Sequence, residues 1–167
     1  MKHTQEKNLI VIFLIFCLLA FYAVLLFDVE KNTDFPALSG SADLSRWDPQ
    51  EDGLAVLTGE WAYYRGLLSQ DLVSAPQPEY RTVPHFWEED PDFSQAKGFA
   101  TYVLTLTGLI PNKIYSMALP DQVLSYTLTV NDSFVAANGK VAKEKSSCIP
   151  EWDPQTAVFQ ADKAGNA

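Results

Sequence analysis

Leu9 to Phe27 reads LIVIFLIFCLLAFYAVLLF, nineteen residues without a charge. As a helix rising ~1.5 Å per residue it would cover about 28 Å, close to one bilayer hydrocarbon core. A buried helix of a globular domain would carry a polar face, and this segment has none. Its flanks set an orientation. Lys2 and Lys7 precede it, while Asp28, Glu30 and Asp34 come after it with only Lys31 against them. The positive side stays in the cytoplasm, so the chain after Phe27 is expected on the outer side. A cleaved signal peptide is the rival reading. Cleavage wants small residues two positions apart, and Ala20-Phe21-Tyr22-Ala23 spaces its alanines by three, ahead of bulky Val24 to Phe27. Phe16 directly before Cys17 also argues against a lipoprotein site. The expectation is an uncleaved anchor, with residues 1–8 as a cytoplasmic tail and 9–27 as a transmembrane helix. Both readings export the chain beyond Phe27.

Beyond Phe27 remain 140 residues, which suits one domain and not two. Aromatics form 13% of the chain and there are ten prolines, a composition that favours short strands joined by turns over a helical bundle. The whole chain carries −9, and the part after the apolar run about −10. Such a domain repels phosphate backbones, which excludes nucleic acid as a natural partner and disfavours broad adhesion to anionic lipid. It leaves a neutral sugar, a cation or another protein open, and solubility alone accounts for the charge. Cys17 lies in the apolar run and Cys148 in the outer domain, so they do not pair across lipid. The domain is therefore expected to be held by its core rather than a disulfide, with Cys148 buried.

Asp28 to Ser41 is polar, with Pro36 and Gly40, and reads as a linker over residues 28–41. The folded part is expected over 42–167, beginning at ADLSRW. Leu54 to Tyr64 reads as strand, a break at Gly59, then strand. Residues 66–72 read as a short helix or loop, 74–80 as a proline-containing loop, 83–87 (VPHFW) as a short extended piece and 88–98 as a charged loop. Phe99 to Thr107 is the clearest strand. Its alternation puts Ala100, Tyr102, Leu104 and Leu106 on one face and Phe99, Thr101, Val103, Thr105 and Thr107 on the other. Ile114 to Leu119 and Leu124 to Val130 read as strands. Asn131-Asp132 is a tight turn into 134–137, and Asn138-Gly139 is a second turn signal. Thr156 to Gln160 is a last strand without an evident partner after it, so the domain is expected to be incomplete at its C-terminus. The fold class expected is all-β, an antiparallel sandwich preceded by one transmembrane helix.

No phosphate loop, nucleophile elbow or His/Cys cluster is present. The two histidines are His3 and His85, and spacing supplies no set of ligands around them, so no metal or other cofactor is expected. Glu88, Glu89 and Asp90 are adjacent in a charged loop, where carboxylates do not flank a glycosidic bond. Asp121, Asn131 and Asp132 are explained by turn chemistry better than by calcium. Aromatic faces stack on sugar rings, and Trp61, Tyr63 and Tyr64 lie close together. Alternation sets Trp61 and Tyr63 against Tyr64. Trp61 and Trp87 read as core, and Tyr64 and Arg65 as exposed. The candidate binding residues are Tyr64, Arg65, His85 and Trp152, because they fall at strand ends or in loops. No catalytic residue is identified.

Six strings occur in sequence order: ADLSRW at 42–47, LTGEWAYYRGLL at 57–68, VPHFW at 83–87, GFATYVLTLTGL at 98–109, YTLTVND at 126–132 and NGKV at 138–141. In that order they resemble the N-terminal extracytoplasmic domain of bacterial receptors with seven transmembrane helices and diverse intracellular signalling modules. The resemblance implies a jelly-roll β-sandwich similar to galactose-binding-like and carbohydrate-binding modules. It also implies a place on the periplasmic side of the inner membrane and a small ligand, with carbohydrate as the candidate. The chain departs from that pattern, since it contains no seven-helix region and no kinase, cyclase or phosphatase module. The same strings resemble the ancillary sugar-binding jelly roll of family 2 glycoside hydrolases, whose catalytic barrel is absent here. Neither resemblance makes this segment an enzyme.

Three functions are carried forward. A ligand-sensing module of a membrane receptor would show exposed Tyr, Trp or Arg on a sheet face. A non-catalytic module docking an exported protein would show an exposed apolar patch. A glycosidase fragment would need two carboxylates converging in a cleft.

Overall fold

The computed structural model describes residues 12–19, 21–22, 31–85, 98–120 and 124–167. The chain divides into two units, Met1–Asn32 and Thr33–Ala167. In the first, residues 12–19 and 21–22 are helical and their side chains are exposed. Among the described residues no helix is long and apolar enough to cross a membrane.

The second unit is mostly β. Among the described residues ten strands are met in chain order: β1 Asn32–Ala37, β2 Ser41–Asp43, β3 Leu54–Arg65, β4 Glu79–Val83, β5 Ala100–Val103, β6 Thr105–Thr107, β7 Ile114–Leu119, β8 Tyr126–Val130, β9 Ser133–Asn138 and β10 Gln155–Gln160. Short 3-10 turns cover Ser69–Ser74 and Lys145–Ser147. The long strand β3 organises one sheet. It pairs with β1, with β4 through Gly59↔Val83 to Tyr63↔Glu79, and with β5 through Ala62↔Val103 to Arg65↔Ala100. Two further antiparallel ladders join β7 to β10 and β8 to β9.

The structure corrects several expectations from the sequence. The segment read as a linker, 28–41, contains β1 and the start of β2, so the folded unit begins before residue 42. Its polar residues alternate with Thr33, Phe35 and Ala37, which turn inward, a pattern that Pro36 obscures. Gly59 does not break its strand. It has φ +91° and lies so close to β1 that a Cβ there would collide with the Ala37 carbonyl oxygen. The absence of a side chain is what lets two backbones meet. Phe99 to Thr107 is two strands rather than one: β5 pairs with β3, while β6 leaves it at Leu104 to pair with β2. That β2–β6 pair is parallel, Ser41↔Thr105 to Asp43↔Thr107, whereas β3 meets both β4 and β5 antiparallel.

Other expectations hold. Ile114–Leu119 is β7, and Tyr126–Val130 falls within the expected third strand. Asn131 and Asp132 both take positive φ, +48° and +61°, as a two-residue hairpin turn requires. Strand β10, for which no later partner was evident, pairs with the earlier β7, and Ala167 exchanges backbone hydrogen bonds with Leu106.

The core gathers Ala37, Ala42, Leu44, Leu106, Leu109, Phe159 and Ala161, with Phe35, Trp47, Trp61, Leu104, Tyr115 and Met117 packed around it. Leu104 and Leu106 come from the face that alternation marked as apolar. The last seven residues close this core through Ala161 N donating to Lys113 O and Leu109 N donating to Gly165 O. Asp162 fixes their turn, its carboxylate accepting from the Ala164 and Asn166 amides at 2.8 Å each. The amide bonds, that from Asn166 foremost, hold the Asp162 carboxyl below the ordinary carboxylate range. Cys148 is half-buried rather than buried, its Sγ 2.9 Å from Ser125 Oγ.

Candidate functional site

The end of β3 beyond Gly59 carries large rings, whereas Leu54 to Thr58 before it carry none. Trp61 and Tyr63 share one face of β3, as period-2 geometry demands. The register sets Arg81 opposite Trp61, Glu79 opposite Tyr63 and Tyr102 opposite Tyr63. These side chains therefore meet on one face of three strands. Tyr63 is almost fully buried, at 1% exposure, and forms the floor. Its ring lies 5.0 Å from that of Tyr102, tilted by 55°, and the Arg81 guanidinium stands 5.2 Å over it. Rings at this spacing attract through edge and face, and a guanidinium over a ring adds a cation–π attraction.

His85 comes after β4, beyond Pro84, and reaches the same place. Its Nε2 is 3.2 Å from the Tyr102 hydroxyl, with ring centroids 5.9 Å apart. Arg81 also donates to Glu79 Oε2 at 3.1 Å. The cluster thus presents ring faces from Tyr102 and Trp61, a guanidinium, a carboxylate and an imidazole–phenol pair. Its inner side runs into the core through Trp61, which is half-buried and packs against it. The Trp61 Nε1 is buried with no hydrogen-bond partner among the described residues.

Of the four residues singled out from sequence, the structure brings two to this face. His85 is part of the cluster, and Arg65 lies on the same side of β3 as Tyr63, exposed and opposite Ala100. Tyr64 points to the opposite face, opposite Thr101, and is half-buried rather than exposed. Trp152 lies elsewhere, 74% exposed on the loop that Asn138 pins by donating from Nδ2 to Glu151 O and Leu124 O. Tyr102 and Arg81 were missed. The signal for Tyr102 was the alternation of Phe99 to Thr107. Nothing local marked Arg81, which gains its place only through the β3–β4 register. His3, Trp87, Glu88, Glu89, Asp90 and Asp121 lie outside the described residues.

Chemically the cluster is suited to holding a ligand. Among the described residues no group of three or more His, Cys, Asp or Glu is arranged to hold a metal ion. Stacking surface flanked by Arg, Glu and His is the equipment of recognition, with rings for apolar faces and forked donors and acceptors for hydroxyls or carboxylates. Comparison with known proteins adds no relative: no family model, no curated protein and no solved structure matches this chain.

Proposed function

We propose that this chain is the extracytoplasmic ligand-sensing part of a bacterial membrane receptor. In this reading Leu9 to Phe27 anchors it in the inner membrane, the β-rich unit is a jelly roll in the periplasm, and the ligand is a carbohydrate. The reading draws on the charge asymmetry about the apolar run, on the ordered strings between residues 42 and 141, and on the mostly β second unit. The observation that carries it is the convergence of Tyr63, Tyr102, Arg81, Glu79 and His85 on one sheet face. A sugar would stack a ring face on the aromatic side chains and exchange hydrogen bonds with Arg81, Glu79 and His85. Sensing requires that the ligand bind one receptor state more tightly than another, since equal affinity shifts no equilibrium. The output module would lie in another part of the receptor, and this chain would itself catalyse nothing.

The test is calorimetry on the full chain in detergent micelles against a carbohydrate panel. Saturable heat for one sugar class, weakened about tenfold by Tyr102→Ala and kept by Trp152→Ala, supports the reading; stacking on an aromatic ring of about 1.4 kcal/mol corresponds to that factor. No heat from a folded chain, or heat indifferent to Tyr102, contradicts it.

One observation favours a second reading, a module that docks an exported protein. Phe134 and Val158 are 68% and 59% exposed, beside an opening of about 340 Å³ between β9 and β10. Neighbouring exposed apolar side chains of this size are a feature of contact surfaces.

A further inference from the structure

A second cleft in the β-rich unit shares no lining residue with the ring cluster on β3. It is lined by the rings of Trp47 and Tyr115, by the buried Leu44 and Leu109, and by Ser45 and Lys113 at its exposed rim. It encloses about 210 Å³. We infer that this cleft binds a small single-ring carboxylate, with its ring against the packed pair of Trp47 and Tyr115 and the acid group on Lys113.

Size comes first. An apolar cavity of about 150 Å³ holds one benzene ring, whereas sites for larger ligands begin near ~300 Å³. The cleft takes one ring and a small substituent, and a disaccharide is too large for it. The walls are set in advance. Trp47 Nε1 donates to Gly53 O at 3.0 Å, and the Tyr115 hydroxyl accepts from Ile110 N at 2.9 Å, so both rings are held at their polar atoms. Their centroids are 6.0 Å apart and their planes differ by 32°, so the two rings pack on each other and a ligand ring lies against the pair rather than between its members. Leu44 and Leu109 are buried.

The polar groups then select the substituent. The Ser45 hydroxyl and amide are both turned to the Asp43 carboxylate. Tyr115 keeps its own O–H to donate. Lys113 holds its ammonium 5.5 Å from the Tyr115 ring centroid and forms no ion pair among the described residues, in a chain whose net charge is −9. The groups left at the rim are donors, one of them cationic, so the complementary ligand group is an anionic acceptor. A hydroxyl-rich ring would leave most of its donors without partners here, which costs affinity.

The test uses the full chain in detergent micelles, with benzoate as probe and benzyl alcohol and glucose as comparators. The indole N–H resonance of Trp47, assigned by its loss in Trp47→Phe, reports occupancy. Benzoate should shift it saturably, benzyl alcohol should bind at least about fivefold more weakly, and glucose should leave it unmoved. Lys113→Gln should weaken benzoate about five- to tenfold, Lys113→Arg should keep it within about twofold, and added salt should weaken the wild type more than Lys113→Gln. Lys113 is exposed, so these variants leave the core intact. Equal binding of benzoate and benzyl alcohol, indifference to Lys113→Gln, a response to glucose, or no saturable shift each overturns the proposal. Sugar binding at Tyr102 is unaffected by Lys113→Gln, so the two sites succeed or fail separately.

Discussion

The middle and the C-terminal end of strand β3 do different jobs with different side chains. At the middle Gly59 lies against Ala37 with the two backbones touching, beside a core rich in alanine and leucine. Towards its C-terminal end the same strand meets β4 and β5 through Trp61 and Tyr63. There the side chains are large and carry polar tips, and Arg81, His85 and Glu79 gather round them. Small residues let strands approach and leave no room between them. Beyond Gly59 the large rings are themselves largely buried, and Arg81, Glu79 and His85 carry the polar atoms at their edge. A strand that changes character along its length can therefore anchor a fold and present a site at once.

Substitutions should separate the two regions. Gly59→Val is expected to be the most damaging, because it combines a positive φ with a collision against the Ala37 backbone; the expected loss is about 3 kcal/mol or more, read from chemical denaturation. Leu106→Ala removes a 5% exposed leucine from the centre of the core and should cost ~2–5 kcal/mol by the same measurement. Tyr102→Phe, at the ring-bearing end, removes only the hydroxyl facing His85. It should cost ~1 kcal/mol or less in stability while reducing ligand affinity severalfold in a calorimetric titration. A Tyr102→Phe loss as large as that of Leu106→Ala would erase the distinction, since the ring end would then be core as well.

The smallest expected effect concerns the turn that closes the core. The carboxyls of Asp162, Asp43 and Asp71 are lowered mainly by hydrogen bonds from the Asn166 amide, the Ser45 amide and the Lys143 ammonium respectively. A carboxyl whose folded value lies below its unfolded one stabilises the fold above the ordinary carboxylate range and loses that contribution as pH falls through the folded value. Denaturation across pH 7 to 3 should show stability declining at the acid end. Asp162→Asn should lie below the wild type at pH 7, and the gap should narrow as pH falls below the ordinary carboxylate range. A constant gap between the two would assign the effect to packing instead of charge.

Much of the β-rich unit was legible from local pattern. Strands β7 and β8, the Asn131-Asp132 turn and the inward face of Tyr102, Leu104 and Leu106 are all products of period-2 alternation and turn chemistry. The features that escaped depend on partners distant in sequence. β1 hides behind Pro36 and polar neighbours until β3 pairs with it. Gly59 looks like a break until Ala37 is seen against it, and the change of partner at Leu104 is invisible within a continuous alternating run. The site shows the same division. His85 was singled out for its place beyond a strand end, whereas Arg81 matters only because the register places it over Tyr63. Alternation set Tyr64 on the face away from Tyr63, and only its exposure differs, since it is half-buried opposite Thr101.

Hydrogen exchange on the full chain in micelles, with and without the carbohydrate that gives saturable heat, tests the central claim most directly. Ligand should slow exchange in β4, residues 79–83, and β5, residues 100–103, and leave β1 and β2 unchanged. Protection confined to β1 and β2 or to the loop carrying Trp152, or none at all with ligand saturating, would contradict a site at the ring-bearing end of β3.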